Sequence, residues 1–153
     1  MGIVTTTPDA TTDAELDRKL SAALRARGHR VTLPRLLVHR HVRRHAGHLT
    51  AEQLHSELAA QLPSLSPATV YATLDLLGEL GLVRRVSTPH GAALYDPRTD
   101  AHHHVFCRRC GRIGDVEAPV DTAAAERAAA GAGFRVEQGE LQLSGLCRAC
   151  AGG

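Results

Sequence analysis

With 153 residues and 43% hydrophobic content, the chain suffices for one domain or two small ones, and no apolar run approaches the length of a membrane span. There is no Trp, and only two Phe and two Tyr, so Leu, Val and Ala must do the packing and a small subdomain built from them needs an extra staple. The net charge of +2 conceals an asymmetry: Arg18 to Ala51 carries nine Arg or Lys and no acidic residue, a block suited to nucleic acid or another acidic surface.

Residues 1–12 read as a disordered tail. A first helix is expected from about Asp13 to Arg27, with Leu16, Leu20 and Leu24 on one face and Gly28 as its stop. A second begins after Thr32, a good N-cap, with Pro34 in its first turn. It turns Leu37, Val38 and Val42 inward and leaves Arg40, Arg43 and Arg44 outside. Thr50-Ala51-Glu52-Gln53 reads as a capping box opening a third helix through Leu54, Leu58 and Leu62. The fourth opens with Ser66 as N-cap and Pro67 at the first helical position, buries Val70, Leu74 and Leu77, and ends at Gly81. Leu82 to Val86 then reads as a strand, Pro89-His90-Gly91 as a turn and Ala92 to Tyr95 as the returning strand.

Helices followed by a two-stranded hairpin form a winged helix over 13–96, in which the helix opening at Ser66 enters the major groove of double-stranded DNA. Arg30, Thr32 and Arg35 in the basic block, with Ser66, Thr69 and Tyr71 at the start of that helix, are the candidate DNA contacts. The alternative is an ordinary helical bundle with a solvated Arg-rich face.

A hinge near 95–98 leads into a smaller α/β unit over 99–153. Strands are expected around Val105-Phe106, over Arg112 to Val116, Phe134 to Glu137 and Leu141 to Leu143, with an Ala-rich helix from Pro119 to Ala130. This unit holds all four cysteines as Cys107-x-x-Cys110 and Cys147-x-x-Cys150, 36 residues apart. Each pair can wrap one corner of a tetrahedral ion, and thiolates favour Zn²⁺. Two redox pairs or two disulfides are the alternative. Ahead of Cys107 runs His102-His103-His104. In a strand His102 and His104 share a face, and two imidazoles on one face suit a second ion, provided partners come from elsewhere. The whole is an α+β chain, with a winged-helix DNA-binding domain followed by a zinc-stapled α/β dimerisation domain.

Six stretches carry a resemblance across 13–150: Arg30 to Arg35, Gly47 to Glu52, Ser66 to Tyr71, Gly81 to Val83, His102 to Cys110 and Gly145 to Cys150. In these the chain resembles the ferric uptake regulator family. The resemblance implies a cytoplasmic, homodimeric, metal-dependent repressor of operator DNA, with no enzymatic activity and no membrane association. It further implies a regulatory site of His48, Asp96, His102, His104 and Asp115, a mixed N/O set suited to Fe²⁺ or Mn²⁺. The two aspartates resemble the peroxide-responsive branch, where iron-catalysed oxidation of ligand histidines, His48 and His102 here, relays the signal. A plain iron, zinc, manganese or nickel uptake regulator is the alternative reading. A further metal site found in some members maps to Ala101, His103, Thr122 and Gly139, where only His103 can ligate. Ala72, after the recognition-helix Tyr71, also departs from the family's usual Arg or Asn.

Overall fold

The computed structural model describes residues 3–4, 11–89, 91–137 and 139–152. In chain order the elements are β1 (Ile3–Val4), α1 (Asp13–Ala26), α2 (Leu33–Arg44), α3 (Ala51–Leu58), α4 (Pro67–Glu79), β2 (Arg84–Ser87), β3 (Ala93–Asp96), β4 (His103–Cys107), β5 (Ile113–Val116), α5 (Ala123–Gly131), β6 (Gln142–Gly145) and α6 (Arg148–Ala151). They form two compact units: the helices and hairpin up to residue 99, and the sheet from residue 100 onward together with β1. Among the described residues no helix is long and apolar enough to cross a membrane.

In the helical unit, local chemistry sets the helix starts. Thr12 and Thr50 both close reciprocal capping boxes, with Glu15 and Gln53, and Ser66 accepts the Thr69 N–H. Thr32 stands at the N-cap of α2, but its side chain makes no cap hydrogen bond. The expected stripes then meet: Leu20 and Leu24 of α1, Val38 and Val42 of α2, Leu54 and Leu58 of α3, and Val70, Leu74 and Leu77 of α4 form one core with Leu49, Val83 and Tyr95. α3 stops at Leu58 rather than running through Leu62, which still packs against that core. β2 and β3 pair antiparallel, Arg84 opposite Asp96 and Ser87 opposite Ala93. Of the turn expected between them, His90 lies outside the described residues.

In the second unit the sheet order is β1-β5-β4-β6, antiparallel except for β4 with β6. Ile3–Val4, inside the stretch read as a tail, is β1; the rest of that stretch up to residue 10 lies outside the described residues. Phe134 to Glu137, expected as a strand, is not one. The Phe134 N–H turns back to Ala129 O at 2.9 Å to close α5, and no described strand offers the segment the partner that a strand requires. α5 begins at Ala123, not Pro119, because Asp121 takes the Ala123 N–H at 2.9 Å ahead of the first turn. No residue of α5 is buried, and Phe134, Val136, Leu141, Leu143 and Leu146 are exposed. So little apolar burial gives this unit a small core of its own.

Candidate metal centres

The parallel pairing of β4 with β6 explains how two cysteine pairs with 36 residues between them converge. Parallel strands end on the same side of a sheet, and Cys107, last in β4, lies opposite Gly145, last in β6. Each Cys-x-x-Cys turn therefore leaves the sheet at the same edge. Gly111, with φ +73, makes the first turn possible and sends its N–H to Cys107 O at 2.9 Å. Arg109 ties the second to the first through Cys150 O at 2.8 Å.

The four sulfurs lie within 4.8 Å of one another. Cys110 and Cys147 Sγ are 3.7 Å apart, too far for a disulfide at about 2.05 Å and close to the edge of about 3.8 Å that a tetrahedron with Zn–S of 2.3 Å has. Backbone N–H groups already favour thiolate at this corner. The Cys147 N–H, 3.3 Å from Cys107 Sγ, leads in lowering that thiol to about 5, and the Cys150 N–H lowers Cys147. The Cys150 thiol, hydrogen-bonded to the Cys147 sulfur, is pushed up to about 12 instead. Four thiolates accumulate here only around a cation, and a dication with four sulfur ligands at these spacings is Zn²⁺.

The regulatory ligands expected from the sequence fall into two sets, one per unit. In the helical unit Gly47, at φ +100, turns the chain into an isolated bridge between Leu49 and Tyr95, with N–H···O distances of 3.2 and 2.8 Å. The bridge sets the preceding His48 beside Asp96, the residue after Tyr95. His48 Nε2 is 3.3 Å from Asp96 Oδ2, and their side chains are 3% and 0% exposed. Asp96 is the last residue of β3, where a hinge position was expected, and its Oδ1 accepts the Arg98 N–H at 2.8 Å.

In the second unit His102 and His104 share a face as expected, their ring centroids 4.6 Å apart. Register places Asp115 opposite His104, and all three are buried. His103 turns the other way, and its Nδ1 accepts the Leu141 N–H at 3.1 Å. Glu140 escaped the sequence reading: its Oε1 lies 3.4 Å from His104 Nδ1. Only the register of β6 against β4 brings it there, and no local pattern announces it. Imidazoles and carboxylates buried in this proportion fit a borderline divalent ion such as Fe²⁺ or Mn²⁺.

Of the candidate DNA contacts, Thr32, Arg35 and Thr69 line one groove of about 340 Å³ with Ala68, Ala72 and Thr73. Arg30 is exposed, and its carbonyl accepts from the Arg35 guanidinium. Ser66 is exposed but committed to its cap, its hydroxyl 2.9 Å from that of Thr69. Tyr71 is outside the groove lining, and its hydroxyl donates to Glu52. That hydrogen bond raises the Tyr71 pKa and lowers that of Glu52.

Known proteins match this arrangement along most of the chain. The profile described as the ferric uptake regulator family matches residues 26–144. Ferric uptake regulation protein 1 of Mycolicibacterium fortuitum is 40% identical over 119 residues, covering 77% of this chain and 73% of its own. The peroxide operon regulator of Bacillus subtilis is 30% identical over 128 residues, covering 84% and 88%. The ferric uptake regulator of Helicobacter pylori shares the fold at 18% identity, with a TM-score of 0.76 over 92% of this chain and 95% of that one. With a family match over residues 26–144 and a relative at 40% identity, the chain belongs to the ferric uptake regulator family.

Proposed function

We propose that the chain is a peroxide-responsive repressor in which one regulatory Fe²⁺ or Mn²⁺ draws on His48 and Asp96 of the helical unit and on His102, His104 and Asp115 of the other. Membership of the family makes it a dimeric, metal-dependent regulator of operator DNA rather than an enzyme, with structural zinc on Cys107, Cys110, Cys147 and Cys150. The observation that carries the finer reading is the pair of buried aspartates, Asp96 beside His48 and Asp115 opposite His104. Two carboxylates with three imidazoles make a harder donor set than histidines alone, suited to iron and manganese. The 30% identity to a peroxide operon regulator supports the same branch. An ion needing ligands from both units favours whichever arrangement brings them together, so metal occupancy becomes DNA affinity.

A bound ferrous ion would catalyse cleavage of the O–O bond of hydrogen peroxide, with the two electrons coming in sum from a ligand imidazole and not from the ion. The side chains within reach are its own ligands, His48 and His102 foremost. A ring C–H of one would become C–OH, taking one peroxide oxygen and giving up two electrons while the other oxygen leaves as water, and the oxidised ring is a poorer donor. The histidine then releases the ion, and the DNA-competent arrangement loses its support. The zinc-bound sulfurs are less available than free thiolates. Mass spectrometry after brief exposure to low peroxide tests this: the iron-loaded protein gains one oxygen on His48 or His102 and loses operator binding in a gel shift, and the manganese-loaded protein does neither. Unmodified histidines with retained binding in the iron-loaded protein would place the chain with the plain iron-responsive regulators, a reading that the 40% identity to a ferric uptake regulation protein favours.

The DNA surface has its own test. Arg30 and Arg35 are assigned to phosphates, so truncating either lowers affinity for all sequences alike and flattens the log–log salt dependence by about 0.9 per contact. Tyr71→Ala weakens preference for the operator as well. Equal affinity of the Arg35→Ala protein across a salt series would remove that residue from the interface.

A further inference from the structure

A third group of metal-competent side chains lies wholly within the helical unit and shares no residue with the sites above. His41 lies in the last turn of α2, and His45, four positions on, is the C-cap residue whose N–H returns to His41 O at 2.9 Å. Their ring centroids are 6.4 Å apart with the planes inclined by 26°. Glu57 reaches across from α3, its Oε2 2.5 Å from His41 Nε2. One ligand atom from each of the three lies within 4.8 Å of the others. They line a cavity of about 330 Å³.

The neighbouring charges do not forbid a cation. Arg40 and Arg44 border the same cavity, but both are engaged with carboxylates: Arg44 Nη2 lies 2.9 Å from Asp13 Oδ1, and Arg40 Nε donates to Asp17 Oδ1 at 2.7 Å. Glu57 adds a negative charge. The two histidines are half-buried and Glu57 is exposed, and an ion with 2.0–2.1 Å bonds would draw the three ligand atoms in to a spacing of about 3.4 Å. A hydrogen bond between His41 and Glu57 accounts for two of the three residues. His45, at the C-cap just beyond α2, is the one that an ion explains.

We propose that His41, His45 and Glu57 form a third metal site, for a divalent ion of the imidazole-preferring class such as Zn²⁺, Ni²⁺ or Cu²⁺. Two nitrogen donors and one carboxylate leave at least one position for water. The ion would tie α2 to α3 inside the helical unit, and this assignment stands whether or not the chain senses peroxide.

The test is a count of total metal per chain. Untagged full-length protein, carrying zinc on its cysteines, is dialysed to equilibrium against Ni²⁺, and all bound metals are measured together, so that exchange at the other sites leaves the count unchanged. The wild-type chain is expected to hold three ions, and the His45→Ala and Glu57→Gln chains two, with affinity for the third weakened at least tenfold. Thermal unfolding without added Ni²⁺ should be the same for all three proteins, and added Ni²⁺ should raise the wild-type transition further than that of either variant. A wild-type total of two, or a total of three in both variants, overturns the proposal.

Discussion

A chain carrying Cys107→Ser is expected to lose its zinc, unfold from β4 to α6 and run as a monomer. Structural zinc contributes on the order of 10 kcal/mol or more in small zinc domains, more than a unit whose buried apolar residues, among those described, are Phe106 and Cys107 can replace. Serine is close in size, so the loss reports the missing ligand rather than a packing defect. The helical unit keeps its own core and should stay folded. Amide exchange would therefore show protection lost in β4, β5 and β6 and kept in α1 to α4, alongside zinc analysis and sedimentation. A dimeric variant with full zinc content would contradict the staple.

The Asp96→Asn protein should behave in the opposite way, staying folded, dimeric and zinc-loaded while losing its response to added Mn²⁺. Asparagine keeps an oxygen to accept the Arg98 N–H and removes the charge that a hard cation needs. The Leu49–Tyr95 bridge is made by backbone atoms and is untouched by the change. Metal typically alters affinity at a second site by about 5- to 150-fold in coupled systems, and in this variant that factor should fall to near one. His48→Ala should do the same. The measurement is operator binding with and without Mn²⁺, at constant salt because phosphate contacts make affinity salt-dependent. A variant whose binding still rises with Mn²⁺ would remove Asp96 from the regulatory set.

The sequence was most legible where structure is local. Thr50 with Gln53, and Ser66 ahead of Pro67, each declare a helix start within four residues, and both hold. The leucine and valine stripes of α1 to α4 follow from helical period alone, although His39, buried to 2% on α2, was not foreseen because the expected stripe there was apolar. Alternation along a strand sufficed to put His102 and His104 on one face and His103 on the other. What failed depends on distant partners. Phe134 to Glu137 alternates like a strand, but alternation does not supply a neighbour. β1 is two residues whose pairing with β5 no local pattern announces. Glu140 reaches His104 through strand register, and Glu57 reaches His41 across two helices. The ligand set of His48, Asp96, His102, His104 and Asp115 came from family resemblance. The chain alone revealed the cysteines and the histidine face.

The parallel pairing of β4 and β6 also bears on how freely this chain can vary in length. Zinc and the strand register pin both ends of the connection that carries α5, and that helix buries nothing. Closing a flexible connection costs only about 0.6 kcal/mol more for each doubling of its length. Residues could thus be added near α5 at little thermodynamic cost, whereas a single insertion in the short turn from Cys107 to Cys110 would misplace a zinc ligand. Tolerance to insertion and intolerance of it sit within one small unit, divided by which backbone the metal holds.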